Sequence, residues 1–140
     1  MTKVEMVRES VKAVIHTNGS LLLQLRDNKS EIFFPGAWGL FGGSIDDEER
    51  PLETLIRELA EEICFDVQQA QFLFRWQHKK YNSLLHFFLV HLTVDLSDLC
   101  LREGQAMELF SIKQIKMLSI TPDLAANLER IEEEMLKIYS

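Results

Sequence analysis

Residues 42–65, GGSIDDEERPLETLIRELAEEICF, restrict this chain more than any other stretch. Leu52, Leu55, Ile56, Leu59 and Ile63 recur at helical spacing, so the pattern predicts a helix over 51–63 with an apolar stripe to bury. Glu58, Glu61 and Glu62 stand at i, i+3 and i+4 and share an arc of about 100°, making one acidic face. Such a helix belongs in a layered fold, stripe inward and carboxylates toward a cleft. Like charges at this spacing oppose the helix by roughly a few tenths of a kcal/mol per pair. A hard divalent cation removes that repulsion, and Mg²⁺ is held by one or two carboxylates with phosphate and water oxygens. A Glu-rich helix in an acidic chain is more often just a solvated face. The order of the parts argues for a site: Gly42-Gly43 reads as a turn whose backbone can approach a ligand, and Glu49 sits eight residues before Arg57.

The rest of the chain reads as α/β. Runs at 11–17 and 21–26 flank Asn18-Gly19-Ser20, a hairpin signal. Residues 27–36 read as a loop before a short strand at 38–41. Runs at 71–79 and 84–94 surround Tyr81-Asn82-Ser83, a second hairpin, and 107–111 is a short strand. A helical turn at 112–118 precedes a last helix begun by Thr121-Pro122, with Leu124, Leu128, Ile131 and Met135 as its stripe. Helices on both sides of a mixed sheet follow. With 140 residues, 46% hydrophobic, and no linker or repeat, residues 1–140 are expected to form one domain.

Fifteen basic against 22 acidic residues, a net charge of −7, disfavour binding to nucleic acid or an anionic membrane. Cys64 and Cys100 are too few for a disulfide framework, and with no signal-like segment or long apolar run a cytoplasmic protein is expected. A homodimer is compatible with the sequence, although no patch marks an interface.

Gly43, Glu49, Arg57, Glu58, Leu59, Glu61 and Glu62 fall in the pattern G-x5-E-x7-R-E-U-x-E-E-x-G-U, with U aliphatic, and the segment resembles the Nudix box. Two positions depart from it: Cys64 replaces the last glycine and is followed by Phe65, and Phe41 stands where proline is common. Neither removes a charge. The resemblance implies an α/β/α sandwich with a mixed sheet and hydrolysis of a phosphoanhydride bond in a nucleoside diphosphate linked to a group X. It implies Mg²⁺, with Mn²⁺ as a substitute, on Glu58, Glu61, Glu62 and the Gly42 carbonyl. It gives catalytic work to Glu58, Glu61 and Glu62, with Arg57 pairing Glu49 to hold the box loop. Residues 101–111 look like the loop and strand where triphosphate-cleaving relatives carry one more glutamate, making Glu103 a candidate. Glu62 or Glu103 would be the base.

Substrate contacts are expected from Arg26, where relatives place a phosphate-binding arginine, and from Asp123, where some relatives read the base with a polar residue. A strand-end arginine and a helix-start aspartate are equally well explained without a substrate. Phe33, Phe34, Trp38, Trp76, Phe87 and Phe88 belong mainly to the core, with Trp38 and Phe87 as candidates to wall the pocket. The four histidines show no metal-ligand spacing, and Cys64 reads as a structural thiol. The leading reading is Mg²⁺-dependent cleavage of a nucleoside di- or triphosphate derivative, such as a modified nucleotide. The alternatives are a nucleotide-sugar or dinucleotide pyrophosphatase and a nucleotide-binding regulatory domain without catalysis.

Overall fold

A computed structural model describes residues 7–28 and 34–139. Phe33 lies outside them. The chain begins with β1 (Arg8–Thr17) and β2 (Ser20–Leu25), joined at Asn18-Gly19, both of positive φ (48° and 81°). That pair of left-handed residues matches the twist of a two-residue hairpin. Then come β3 (Trp38–Gly39), β4 (Phe41–Ser44), α1 (Pro51–Ile63), β5 (Ala70–His78) and β6 (Ser83–His91). The chain continues through β7 (Ala106–Ser111), the short α2 (Ile112–Ile115) and α3 (Pro122–Tyr139).

β1 is the organising strand. One edge pairs in parallel with β6 from Arg8↔Ser83 to His16↔His91, and β5 extends the sheet beyond β6. The other edge is divided. β1 and β2 remain paired only beside their turn, at His16↔Leu21 and Thr17↔Ser20. Beyond it they diverge: β4 takes β1 at 10–13, and β3 takes β2 at Gln24 and Leu25. β7 covers the far edge of β2.

Side chains of β1 alternate between two apolar layers, as a strand period of two requires. Val11, Ala13 and Ile15 pack with Leu55, Leu59 and Ile63 of α1, whereas Val14 packs with Leu124, Leu128, Ile131 and Met135 of α3. Leu55, Leu59 and Ile63 are wholly buried, worth roughly 1.5–3 kcal/mol each. The architecture is a mixed sheet between helices, the expected α/β/α sandwich.

Three expectations are corrected. Gly42 and Gly43 do not form a turn: they lie in β4, paired opposite Lys12 and Val11, and neither has a positive φ. They are glycines because there is no room, since a Cβ on Gly42 would strike the Val11 carbonyl and one on Gly43 the Glu58 carboxyl. The stripe of α1 is also narrower than predicted, with Leu52 and Ile56 more than two-fifths exposed. The helix is rolled so that Thr54 and Glu62 enter the buried arc instead. Finally, β6 ends at His91 rather than continuing to 94.

Candidate active site

The entry to α1 is a closed set of charge pairs. Arg57 forks around Glu49, Nε to Oε2 at 2.8 Å and one terminal nitrogen to Oε1 at 3.0 Å. That same nitrogen donates to the Ser44 carbonyl at 3.3 Å and lies 3.3 Å from Asp46 Oδ2. Its other terminal nitrogen reaches Glu58 Oε1 at 3.0 Å and Glu61 Oε2 at 3.3 Å. Glu49 also accepts the Thr54 hydroxyl at 2.8 Å and the Asp46 N–H at 3.1 Å. Hydrogen bonds from Arg57 and then Thr54 hold the Glu49 carboxyl down at about 2, and Glu49 in turn drives the Arg57 guanidinium upward. The planar fork of arginine suits this bidentate grip. The pairing sets where the 44–50 loop lies.

The other end of the acidic set is unbalanced. Glu62 is 3% exposed, and its Oε1 has no hydrogen-bond partner. Burial, with Glu103 and Glu58 close by, pushes its carboxyl up to about 9 against the pull of Lys12. Burial also raises Glu58, against the opposing charge of Arg57. Glu58 lies directly over Gly43, in space that any side chain there would fill. Glu61 is three-fifths exposed, so the three glutamates are not equivalent. Glu58 and Glu62 turn toward the sheet, and Glu61 faces solvent. Among the described residues no three His, Cys, Asp or Glu side chains close around a point by themselves.

Glu103 is brought in by a strap. The Cys100 N–H donates to the Ile63 carbonyl at 3.1 Å and the Arg102 N–H to the Glu62 carbonyl at 2.9 Å, holding residues 100–102 against the end of α1. Gly104, at φ 89°, turns the chain against β2, and the Gln105 N–H donates to the Leu25 carbonyl at 2.8 Å. Glu103 and Arg26 consequently border one small hollow.

Arg26 also borders a cleft of about 180 Å³ lined by β1, β6 and the start of α3. Lys12 contributes a second cation from β1, while Phe34 and Tyr81 provide aromatic rings. Three buried polar atoms in the residues lining this cleft lack a partner: Asp123 Oδ2, Thr121 Oγ1 and His78 Nε2. Each such atom costs roughly 1–3 kcal/mol unless something satisfies it. Thr121 begins α3 through its carbonyl, which accepts the Ala125 N–H at 2.9 Å, while its hydroxyl caps nothing. Two backbone bonds fix that helix start to β3, from Trp38 to the Ser119 carbonyl and from Thr121 to the Trp38 carbonyl, both 2.9 Å.

The aromatic candidates sort differently from expectation. Phe87 is wholly buried and stacked on Phe74, ring centres 4.7 Å apart, so no face is left for a ligand. It is a core residue. Trp38 is half-buried with its ring edge-on to Phe110 at 4.9 Å, and it contributes through its backbone at the start of α3. Phe34 faces the cleft instead. Reading the sequence passed over Lys12, His78 and the Thr121 hydroxyl. Ser10 and Lys12 alternate with the apolar Val11 and Ala13 of β1, a short period-two polar face that signals a strand side open to a cleft. His78 carried no such signal. His86 is buried and bonded to Glu9 at 2.8 Å, as a packed strand histidine would be.

Comparison with known proteins gives this geometry its setting. Residues 6–131 match the NUDIX domain family model. The chain is 25% identical over 114 residues to the CTP pyrophosphohydrolase of Escherichia coli (strain K12), covering 81% of this chain and 83% of that protein. A shorter match of 57 residues is 42% identical to the 8-oxo-dGTP diphosphatase of Proteus vulgaris, covering 39% of this chain and 51% of that one. The crystal structure of the MutT protein from Methanosarcina mazei Go1 superposes with a TM-score of 0.79 at 21% identity, covering 95% of this chain and 98% of that one. With its box helix seated under β4 and the family match spanning most of its length, the chain belongs to the NUDIX family of hydrolases.

Proposed function

We propose that this chain is a Mg²⁺-dependent pyrophosphohydrolase of nucleoside di- or triphosphate derivatives, with residues 1–140 acting as one domain. The observation that carries the reading is Glu62: a buried carboxylate with an orphaned oxygen, beside Glu58 and Glu103, is costly unless a cation completes it. The donors there, the carboxyls of Glu58, Glu62 and Glu103, are all oxygen, the kind a hard cation takes together with phosphate and water. Glu58 and Glu62 would hold it, with Glu61 and the Gly42 carbonyl as further ligands. When bound, Mg²⁺ or Mn²⁺ neutralises phosphate charge and makes water a better nucleophile.

The remaining work falls to the chain's own groups. Glu62 or Glu103 accepts the proton of the attacking water. Arg26, with Lys12 nearby, balances the charge of the phosphates. Arg57 keeps the box loop and Glu58 in place and does not touch the substrate. Asp123, Thr121 and His78 offer three unpaired polar atoms to a flat hydrogen-bonding ring, and Phe34 and Tyr81 offer faces to stack on it. A nucleobase satisfies both requirements, which agrees with the nucleotides in the names of the two relatives. Two cysteines, too few for a disulfide framework, support a cytoplasmic setting.

The test is release of phosphate and pyrophosphate, with and without Mg²⁺, from canonical and oxidised nucleoside triphosphates, nucleotide sugars and dinucleotide polyphosphates, with Glu62→Gln as control. Mg²⁺-dependent cleavage that disappears in the control is expected, strongest on a nucleoside triphosphate. Binding of nucleotides without cleavage of any would replace this reading with a regulatory one.

A further inference from the structure

The chain has two cysteines, at 64 and 100, and the fold brings them together. The N–H of Cys100 bonds the carbonyl of Ile63, at the peptide that leads into Cys64. Burial, and then the neighbouring Cys100 side chain, raises the Cys64 thiol, and neither cysteine is in a disulfide. Cys64 ends α1 in the left-handed region, at φ 58°, a conformation that glycine adopts without strain and that disfavours a Cβ. A strained cysteine beside the only other cysteine of the chain is a chemical pairing that helix capping alone does not call for. Cys100 is exposed and Cys64 half-buried, which gives one entry thiol and one resolving thiol.

We propose that Cys64 and Cys100 are a modification site, forming a reversible intramolecular disulfide by exchange with a low-molecular-weight disulfide such as glutathione disulfide. The Cys100 thiolate attacks one sulfur of the reagent, forming a mixed disulfide and releasing one glutathione. The Cys64 sulfur then attacks the sulfur of Cys100 and releases the second glutathione. Two protein thiols are oxidised, one reagent disulfide is reduced, and the two thiol protons end on the two glutathiones. The bond fastens the strap that carries Glu103 to the end of the helix that carries Glu62.

The test uses the full chain, equilibrated in glutathione buffers from reducing to oxidising, alkylated with iodoacetamide, and read by intact mass and non-reducing peptide mapping. The expected product is a monomer that has lost two hydrogens, with Cys64 and Cys100 in one linked peptide pair, no retained glutathione, and full reversal by dithiothreitol. Cys64→Ser should instead hold one glutathione on Cys100. Two alkylated thiols at the most oxidising ratio, a stable glutathione adduct on the unmutated chain, or a linkage between chains would each overturn the proposal. Amide exchange over residues 100–105 should slow in the oxidised form, and unchanged exchange would overturn the fastening of the strap.

Discussion

The two ends of the acidic set on α1 treat charge in opposite ways. Around Arg57, each carboxylate in reach is answered: Glu49 by a two-pronged contact, and Asp46, Glu58 and Glu61 by the same guanidinium. Around Glu62 there is burial, two carboxylate neighbours, and an oxygen with no partner. A paired charge has already delivered its interaction to the fold. A carboxyl buried without a partner keeps its bonding capacity for something that arrives. Thirteen helical residues thus join a closed set of ion pairs to a buried carboxyl with an unpartnered oxygen.

Substitutions at the two ends should separate these roles. The largest effect is expected at Glu62. Glu62→Gln should reduce turnover by at least about 10²-fold while leaving the thermal midpoint nearly unchanged, because glutamine keeps the volume of a carboxyl that burial already holds protonated near neutral pH and removes only the metal ligand or base. A near-wild-type rate, or a large fall in the midpoint, would break the comparison. Gly43→Ala comes next, since its methyl must displace the Glu58 carboxyl. A loss of about 10-fold in turnover is expected with only a modest fall in stability, checked by kinetics beside thermal melts.

Arg57→Lys tests the lock from the other side. A lysine keeps the charge but cannot fork around Glu49, so the melting midpoint should drop by about 3–6 °C, with a smaller effect on rate than at Glu62. If lysine restores both, point charge rather than geometry holds the loop. The mildest effect is in the acid limb. Glu49 has a folded pKa of about 2, below its ordinary 4.5, so its pairing stabilises the fold above the ordinary value and is lost as pH falls from 4.5 toward 2. Urea melts of the wild type and Glu49→Gln should differ most near neutral pH and converge as pH drops through that window. A difference that does not depend on pH would assign the lock to hydrogen bonding without charge.

Much of the site was legible because helical periodicity is local. Residues three and four apart share a helix face whatever surrounds them, so Glu58, Glu61 and Glu62 could be grouped before any fold was known. How far the helix was rolled was not local. Leu52 and Ile56 scored as stripe, yet the contact of α1 with β1 and β4 chose Leu55, Leu59 and Ile63 and drew Glu62 inward. The paired glycines misled for a similar reason: glycine signals freedom of φ or lack of room, and only the packing of β4 on β1 and Glu58 shows the second to be the cause. Phe87 was expected to wall the pocket and Phe34 to belong to the core. The sheet put one in the core and left the other at the cleft.

By itself the sequence determined the hairpins, the two long helices, the family signature and the carboxylates, all set by neighbours within a few residues. The tertiary structure alone decided which carboxylate is unpaired, that Asp123, Thr121 and His78 converge on one cleft, and that two distant cysteines meet. Those depend on β1 and β6 lying side by side under the start of α3 and on a strap that returns to the end of α1. Desolvation and pairing are properties of surroundings, and surroundings are assembled by contacts between residues far apart in the chain.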